Sequence, residues 1–270
     1  MKLTEMKEFL LSFWRPIRVK KVVSKILGPQ YRVNQKKIEI DLTYVCNLSC
    51  FNCNRSCSQA RTNEKISIEQ VKKFIKESIE QNREWQTISL VGGEPTTHPD
   101  LFEIIELLLQ YKNNHSPKTG IVIVTNGHGD FVNKILSNLP RGLEIVNSGK
   151  KESVKEGFDT FNIAPIDLKK YKKSDFTNAC KITKYCGMGL TPYGYYPCAV
   201  AGGIDRIFGF DNGRKKLPNE KDDFKDLLNN YCRLCGHFKK QECVLGDEVS
   251  KTWKKAYDDY KKEKPSLTKY

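Results

Sequence analysis

The spacing of apolar residues predicts alternating strands and helices from residue 38 onward. Ile38, Ile40 and Leu42 alternate with Glu39, Asp41 and Thr43, the period of a half-buried strand. Ser67-Ile68-Glu69-Gln70 has the form of a capping box, and Ile68, Val71, Phe74, Ile75 and Ile79 follow at helical period. Thr87-Ile88-Ser89-Leu90-Val91 is a second strand. A helix then starts at Pro99 or Asp100, with Leu101, Ile104, Ile105, Leu108 and Leu109 on one face. Ile121-Val122-Ile123-Val124 is an all-apolar third strand, and a short helix is expected near 130–139. Leu143–Val146 reads as a fourth strand and Phe158–Ala164 as a fifth. This order predicts an α/β fold with parallel strands.

In a parallel barrel the strand C-termini open on one face, and sites form there. Four turns rich in cysteine, glycine or polar residues follow the first four strands: Cys46–Cys53, Gly92–Pro95, Thr125–Gly127 and Asn147–Gly149. They span about a hundred residues of sequence, yet they are expected to share one rim.

Cys46, Cys50 and Cys53 stand at C-x3-C-x2-C spacing directly after the first strand. Thiolates this close on one loop can converge on a soft metal centre, and iron–sulfur clusters are held by such runs. A zinc knuckle fits less well, because zinc sites use four ligands. Together with Gly92-Gly93-Glu94-Pro95 downstream, the segment resembles the signature of the radical S-adenosylmethionine (SAM) superfamily. The resemblance implies a partial (β/α) TIM-like barrel of about five to six parallel strands. It implies that Cys46, Cys50 and Cys53 hold a 4Fe–4S cluster with one iron left to SAM. It further implies SAM contacts from Asn52, Gly92, Gly93, Glu94, Pro95, Thr125, Asn126, Asn147 and Ser148. Asn52 departs from the family pattern, which places an aromatic there. Gly92 and Gly93 would let backbone approach the ligand without a Cβ, whereas the four later residues also fit ordinary turn chemistry. His98 reads as a helix-start residue rather than a ligand.

The texture changes near residue 180. Cys186 and Cys198 flank Thr191-Pro192-Tyr193-Gly194, a hairpin turn signal, and Cys232-Arg233-Leu234-Cys235 follows. Read from the residues, these four cysteines could equally form a zinc ribbon. The pattern also resembles the Twitch/SPASM-like auxiliary-cluster module of radical SAM enzymes, in its short form with one extra 4Fe–4S cluster. That implies a C-terminal β-hairpin/helix domain holding its cluster through Cys186, Cys198, Cys232 and Cys235. Cys57 and Cys180 read as small buried apolar residues, and Cys243 is an alternative ligand.

The 270 residues suffice for one good core and a small appended unit. The expected organisation is a basic amphipathic segment over 1–37, the barrel over 38–180, the auxiliary domain over 181–245 and a basic tail over 246–270. No apolar run is long enough to span a bilayer and no signal peptide is evident, so ten cysteines in a cytoplasmic chain read as metal ligands. The net charge of +14 comes mostly from lysine. It gives no arginine–aromatic stripe for nucleic acid, and would suit an acidic flavodoxin or ferredoxin electron donor. In residues 4–27 the apolar positions Met6, Phe9, Leu10, Phe13, Trp14, Ile17, Val22, Val23 and Ile26 are expected to pack on the main domain. Peripheral membrane contact is the less favoured alternative.

The resemblance implies reductive cleavage of SAM to a 5′-deoxyadenosyl radical that abstracts a substrate hydrogen. A fully ligated auxiliary cluster implies a two-electron oxidation, with 2-deoxy-scyllo-inosamine dehydrogenase as an architectural analogue. A small polar or sugar-like substrate ranks first. Peptide or protein side-chain modification ranks second, on the expectation that the chain has no leader-binding domain. A non-catalytic module with C-terminal zinc ranks third. No acid or base is assigned from sequence.

Overall fold

In a computed structural model of the chain, residues 14–152, 157–239, 243–245 and 248–270 are described, the side chains of 157–159 and 243–245 excepted. In chain order the elements are α1 (Arg15–Arg18), α2 (Lys21–Leu27), β1 (Lys37–Thr43), α3 (Ile68–Glu80), β2 (Thr87–Gly92), α4 (Leu101–His115), β3 (Gly120–Thr125), α5 (Asp130–Ser137) and β4 (Glu144–Asn147). β5 (Gly157–Asp159), α6 (Lys181–Tyr185), β6 (Met188–Thr191), β7 (Gly194–Tyr196), α7 (Ala199–Phe208), α8 (Lys225–Cys232), β8 (Cys243–Leu245) and α9 (Lys251–Lys262) follow.

The alternating pattern of β1 fixes its two faces. Ile38, Ile40 and Leu42 are fully buried, and Ile38 and Ile40 pair in register with Ile88 and Leu90 of β2, which pair with Ile121 and Ile123 of β3. Val71 and Phe74 of α3 and Leu101, Ile104, Ile105 and Leu108 of α4 join them in one core. The capping box forms: Ser67 N donates to Gln70 Oε1 at 2.9 Å, and Gln70 N donates to Ser67 Oγ at 3.2 Å.

The main sheet has the order β4-β3-β2-β1-β6-β7. Its first five strands run parallel, β7 returns antiparallel, and the sheet does not close. The hairpin expected at Thr191–Gly194 is present, and its first strand lies in the sheet beside β1.

The expected strand over Phe158–Ala164 is not in this sheet. Only Gly157–Asp159 is extended, and it pairs antiparallel with Cys243–Leu245. Phe161 and Ala164 are instead buried in the core, and the Asn162 carbonyl accepts from Ser250 N at 3.1 Å.

On the inner face of β1, Glu39 and Asp41 meet Arg55 at 2.7 and 3.2 Å. Helix α7, which the sequence reading missed, packs over this side of β6, β7 and β1. Its Arg206 donates to the carbonyls of Ala60 (2.9 Å) and Arg55 (3.0 Å), and so holds the chain just past the cysteine loop.

The N-terminal expectation needs correction. Met6, Phe9, Leu10 and Phe13 lie outside the described residues. Of the remainder, Val23 is half-buried, but Trp14, Ile17, Val22 and Ile26 are exposed. The segment docks instead through Arg15 and through Ser24, whose Oγ donates to Asp175 Oδ2 at 2.5 Å.

Candidate functional site

The four strand ends do share a rim, and hydrogen bonds tie them together. Gly93 N donates to Thr43 O at 2.7 Å and Glu94 N to Val45 O at 2.9 Å. A Cβ at Gly92, where φ is +133°, would overlap the Thr43 carbonyl, and one at Gly93 the Val45 carbonyl. The pair of glycines therefore lets the end of β2 lie against the start of the cysteine loop, a constraint within the chain itself.

Glu94 is fully buried, and its carboxylate accepts four hydrogen bonds. Thr96 N, Thr96 Oγ1 and Thr125 Oγ1 donate to Oε1 at 3.2, 2.9 and 2.8 Å, and Asn126 N donates to Oε2 at 2.8 Å. This binds the end of β2 to the end of β3. Asn126 Nδ2 in turn donates to Asn47 Oδ1 at 2.8 Å and faces Cys46 Sγ at 3.9 Å. Asn47 Nδ2 donates to His128 O at 2.8 Å. Ser148 N and Oγ both donate to Thr125 O, at 3.0 and 2.9 Å, whereas the Asn147 carboxamide accepts from Gly149 N. Pro95 opens a short 3₁₀ turn.

His98 behaves as a structural pin. Its ring bonds Ile66 O at 2.9 Å and accepts from Asp100 N at 3.1 Å, and burial lowers its pKa.

Cys46, Cys50 and Cys53 lie on one loop whose thiols face different surroundings. Burial pushes the Cys46 thiol up to about 11. A hydrogen bond from Cys57 lowers Cys53, and the same bond raises Cys57. Cys57 is thus a partner of the third cysteine rather than only a small core residue. Lys150 Nζ lies 3.9 Å from Cys50 Sγ. No sequence signal marks this lysine, which directly follows the Asn147–Gly149 turn. Asn52 is buried at φ +51°, a left-handed conformation in which Asn is enriched and a bulky aromatic is not. That accounts for its place in the motif.

The second group of cysteines is arranged differently from expectation. Cys180, Cys198, Cys232 and Cys235 line one narrow cavity, with His237 and Phe238 among the other walls. Burial raises all four thiols. Cys186 is outside it, hydrogen-bonded to Glu39. Cys180 and Cys186 are the N-cap and C-cap of α6, about 9 Å apart along its axis, and of the two Cys180 lines the cavity. Sequence spacing around the hairpin pointed to Cys186; the helix that separates the two cysteines was not foreseen. The side chain of Cys243 is outside the described residues.

Among the described residues no three His, Cys, Asp or Glu side chains stand together as ligands of a single ion. Each thiolate of a cubane binds its own iron, so cluster ligands are spread more widely. Three thiols on the rim loop and four around the cavity fit that chemistry, and ligation would release their protons.

Residues 40–149 match the model of the Radical SAM superfamily. The chain is 30% identical over 138 residues to the probable GTP 3′,8-cyclase of Pyrococcus horikoshii, a match covering 50% of this chain and 36% of that protein. It is 36% identical over 87 residues to the mycofactocin maturase MftC of Mycobacterium tuberculosis, covering 32% and 20%. The chain spans less than half the length of these curated relatives. Among solved structures, BtrN in complex with AdoMet and 2-DOIA aligns over 79% of this chain and 96% of that one, at 13% identity and a TM-score of 0.40. Among the described residues no helix is long and apolar enough to cross a membrane. The segment that matches the Radical SAM superfamily model runs from β1 to the end of β4 and contains the whole bonded rim with its three cysteines.

Proposed function

We propose that the chain uses SAM-derived radical chemistry to oxidise a small polar, sugar-like alcohol by two electrons. The observation that carries this reading is the cavity lined by Cys180, Cys198, Cys232 and Cys235. Four thiols would complete a cubane and leave no iron open to substrate, which suits an electron acceptor. Bound at these sites, the cofactors would supply one electron to cleave SAM, a 5′-deoxyadenosyl radical to take a hydrogen atom from a carbinol carbon, and an acceptor for the electron the substrate gives up with a proton as it becomes a carbonyl.

Cys46, Cys50 and Cys53 would hold the first cluster. Cys180 takes the place first given to Cys186 in the second. Glu94 is a positioning residue, because its carboxylate is already committed to Thr96, Thr125 and Asn126. Asn126 reaches the cysteine loop through Asn47, so it can orient SAM beside the first cluster, with Gly92, Gly93, Asn52 and Ser148 as neighbouring contacts. An acidic flavodoxin or ferredoxin would suit the chain's positive charge as electron donor.

The two relatives named above carry different activities in their names, a cyclase and a maturase. The second keeps peptide modification as the competing reading.

The test is anaerobic turnover of the reconstituted chain with SAM, dithionite and a panel of cyclic polyols and amino-alcohols, followed by mass spectrometry. Carbonyl product formed one-for-one with 5′-deoxyadenosine supports the reading. Product formed only from peptide substrates would sink it.

A further inference from the structure

Arg15 stands against the four-thiol cavity although it belongs to the N-terminal segment. It is 4% exposed. Its Nε donates to Phe238 O at 2.9 Å, Nη2 donates to Ala179 O, and Nη1 donates to Gln30 Oε1 at 2.6 Å. The guanidinium lies 4.4 Å from the centre of the Phe238 ring. Ala179 immediately precedes Cys180, and Phe238 is itself a wall of the cavity.

Every one of these partners is neutral, and among the described residues no carboxylate pairs with Arg15. Its ionisable neighbours are the thiols of Cys180 and Cys232 and the phenols of Tyr31 and Tyr171. A buried cation without a counter-ion is costly, and buried charges are normally paired. The missing anion is supplied if the cavity holds deprotonated thiolates. We propose that Arg15 is the counter-ion of the centre bound in this cavity and raises its reduction potential. The proposal rests on the auxiliary-cluster reading. A cubane with four thiolates is anionic and gains one more negative charge on reduction, so a fixed guanidinium favours the reduced form.

The experiment uses the full chain carrying Cys46→Ala, Cys50→Ala and Cys53→Ala, so that only the second site can hold iron. Its midpoint potential is followed by electron paramagnetic resonance, with and without Arg15→Gln. About four irons per chain should remain in both. The Arg15→Gln potential should fall by the equivalent of a tenfold weaker hold on the electron, about 59 mV for a one-electron couple. Arg15→Lys, which keeps the charge but not the fork, should fall less. An unchanged potential in Arg15→Gln with iron retained overturns the role of Arg15. No iron in the parent variant overturns the cluster reading itself. Arg15→Met serves as the neutral variant if the amide is not tolerated.

A separate observation concerns the outer face of the same segment. Helix α2 is inverted: polar Ser24 is buried, while Val22, Ile26 and Leu27 are 74%, 77% and 62% exposed. Trp14 and Ile17 of the same segment are also exposed, and Lys20, Lys21 and Lys25 interleave with these apolar positions in sequence. Apolar side chains interleaved with lysine match a bilayer surface with anionic headgroups. We infer that this face docks the chain on an anionic membrane. The full chain should sediment with vesicles containing phosphatidylglycerol and not with phosphatidylcholine alone. Val22→Glu with Ile26→Glu should weaken that binding about tenfold or more. No sedimentation of the wild type, or equal sedimentation of wild type and double variant, overturns the inference; the former would leave residues 1–13 or a protein partner as what covers the patch.

Discussion

Glu94 is the residue on which the rim turns. Replacing it by Gln keeps the shape but exchanges one carboxylate oxygen for a donor, directed at Thr96 and Thr125 or at Asn126. Bonds to a charged acceptor are worth about 1.5–3 kcal/mol each, so Glu94→Gln should cost about 2–3 kcal/mol in chemical denaturation of the apo chain. It should also weaken SAM binding. A loss below about 0.5 kcal/mol would show that the strand ends do not depend on this carboxylate. At Asn52 the left-handed backbone penalises any bulky replacement, so Asn52→Phe should cost about 1–2 kcal/mol although it restores the family's aromatic. The same denaturation measurement checks it, with Asn52→Gly expected close to wild type. The rim residues were legible because motif and strand end coincide in sequence. Their function within the chain was not, because the partners of Glu94 at Thr125 and Asn126 lie about 30 residues away.

At the scale of elements, strands β1 to β4 and helices α3 and α4 could be read from periodicity, since each carries one continuous apolar face. Helix α7 could not. Ala199–Phe208 is apolar nearly all round and contains Gly202 and Gly203, which lower helix propensity. The reason for Gly202 is tertiary: a Cβ there would overlap Thr191 Cγ2 of β6. Gly202→Ala should therefore cost about 1–3 kcal/mol by overpacking. Gly203→Ala, whose Cβ would meet its nearest atom at 3.5 Å, should be neutral or stabilising, as thermal unfolding can show. Strand β1 carries a titration of its own. Burial raises the Asp41 carboxyl from 3.8 to about 6, against the pull of Arg55. The folded chain then binds the proton more tightly than the unfolded one, so this group's contribution to stability declines as pH rises from about 4 to about 6. In Asp41→Asn, with Glu39 still on Arg55, the loss of stability between about pH 4 and about pH 6 should shrink. An unchanged pH slope would mean that Asp41 is ionised in the folded state throughout.

For the whole molecule, the sequence conveyed an α/β fold with parallel strands, expected as a partial barrel, and two groups of cysteines, but not how the ends of the chain attach. The N-terminal segment was read by its apolar spacing, yet Arg15 and Ser24 are what it inserts. Hydrogen-bond partners more than 150 residues distant decide that, and no local pattern encodes them. The same holds for Cys180 and Cys186, which differ by six positions and are separated by one short helix. The central claim is that the chain holds two clusters, the second on Cys180, Cys198, Cys232 and Cys235. Iron, sulfide and zinc per chain after anaerobic reconstitution test it most directly. The account predicts about eight irons in the wild type and in Cys186→Ala, and about four in Cys180→Ala and in the Cys46/Cys50/Cys53 triple alanine. About four irons with zinc in the wild type, and none in the triple variant, would contradict it.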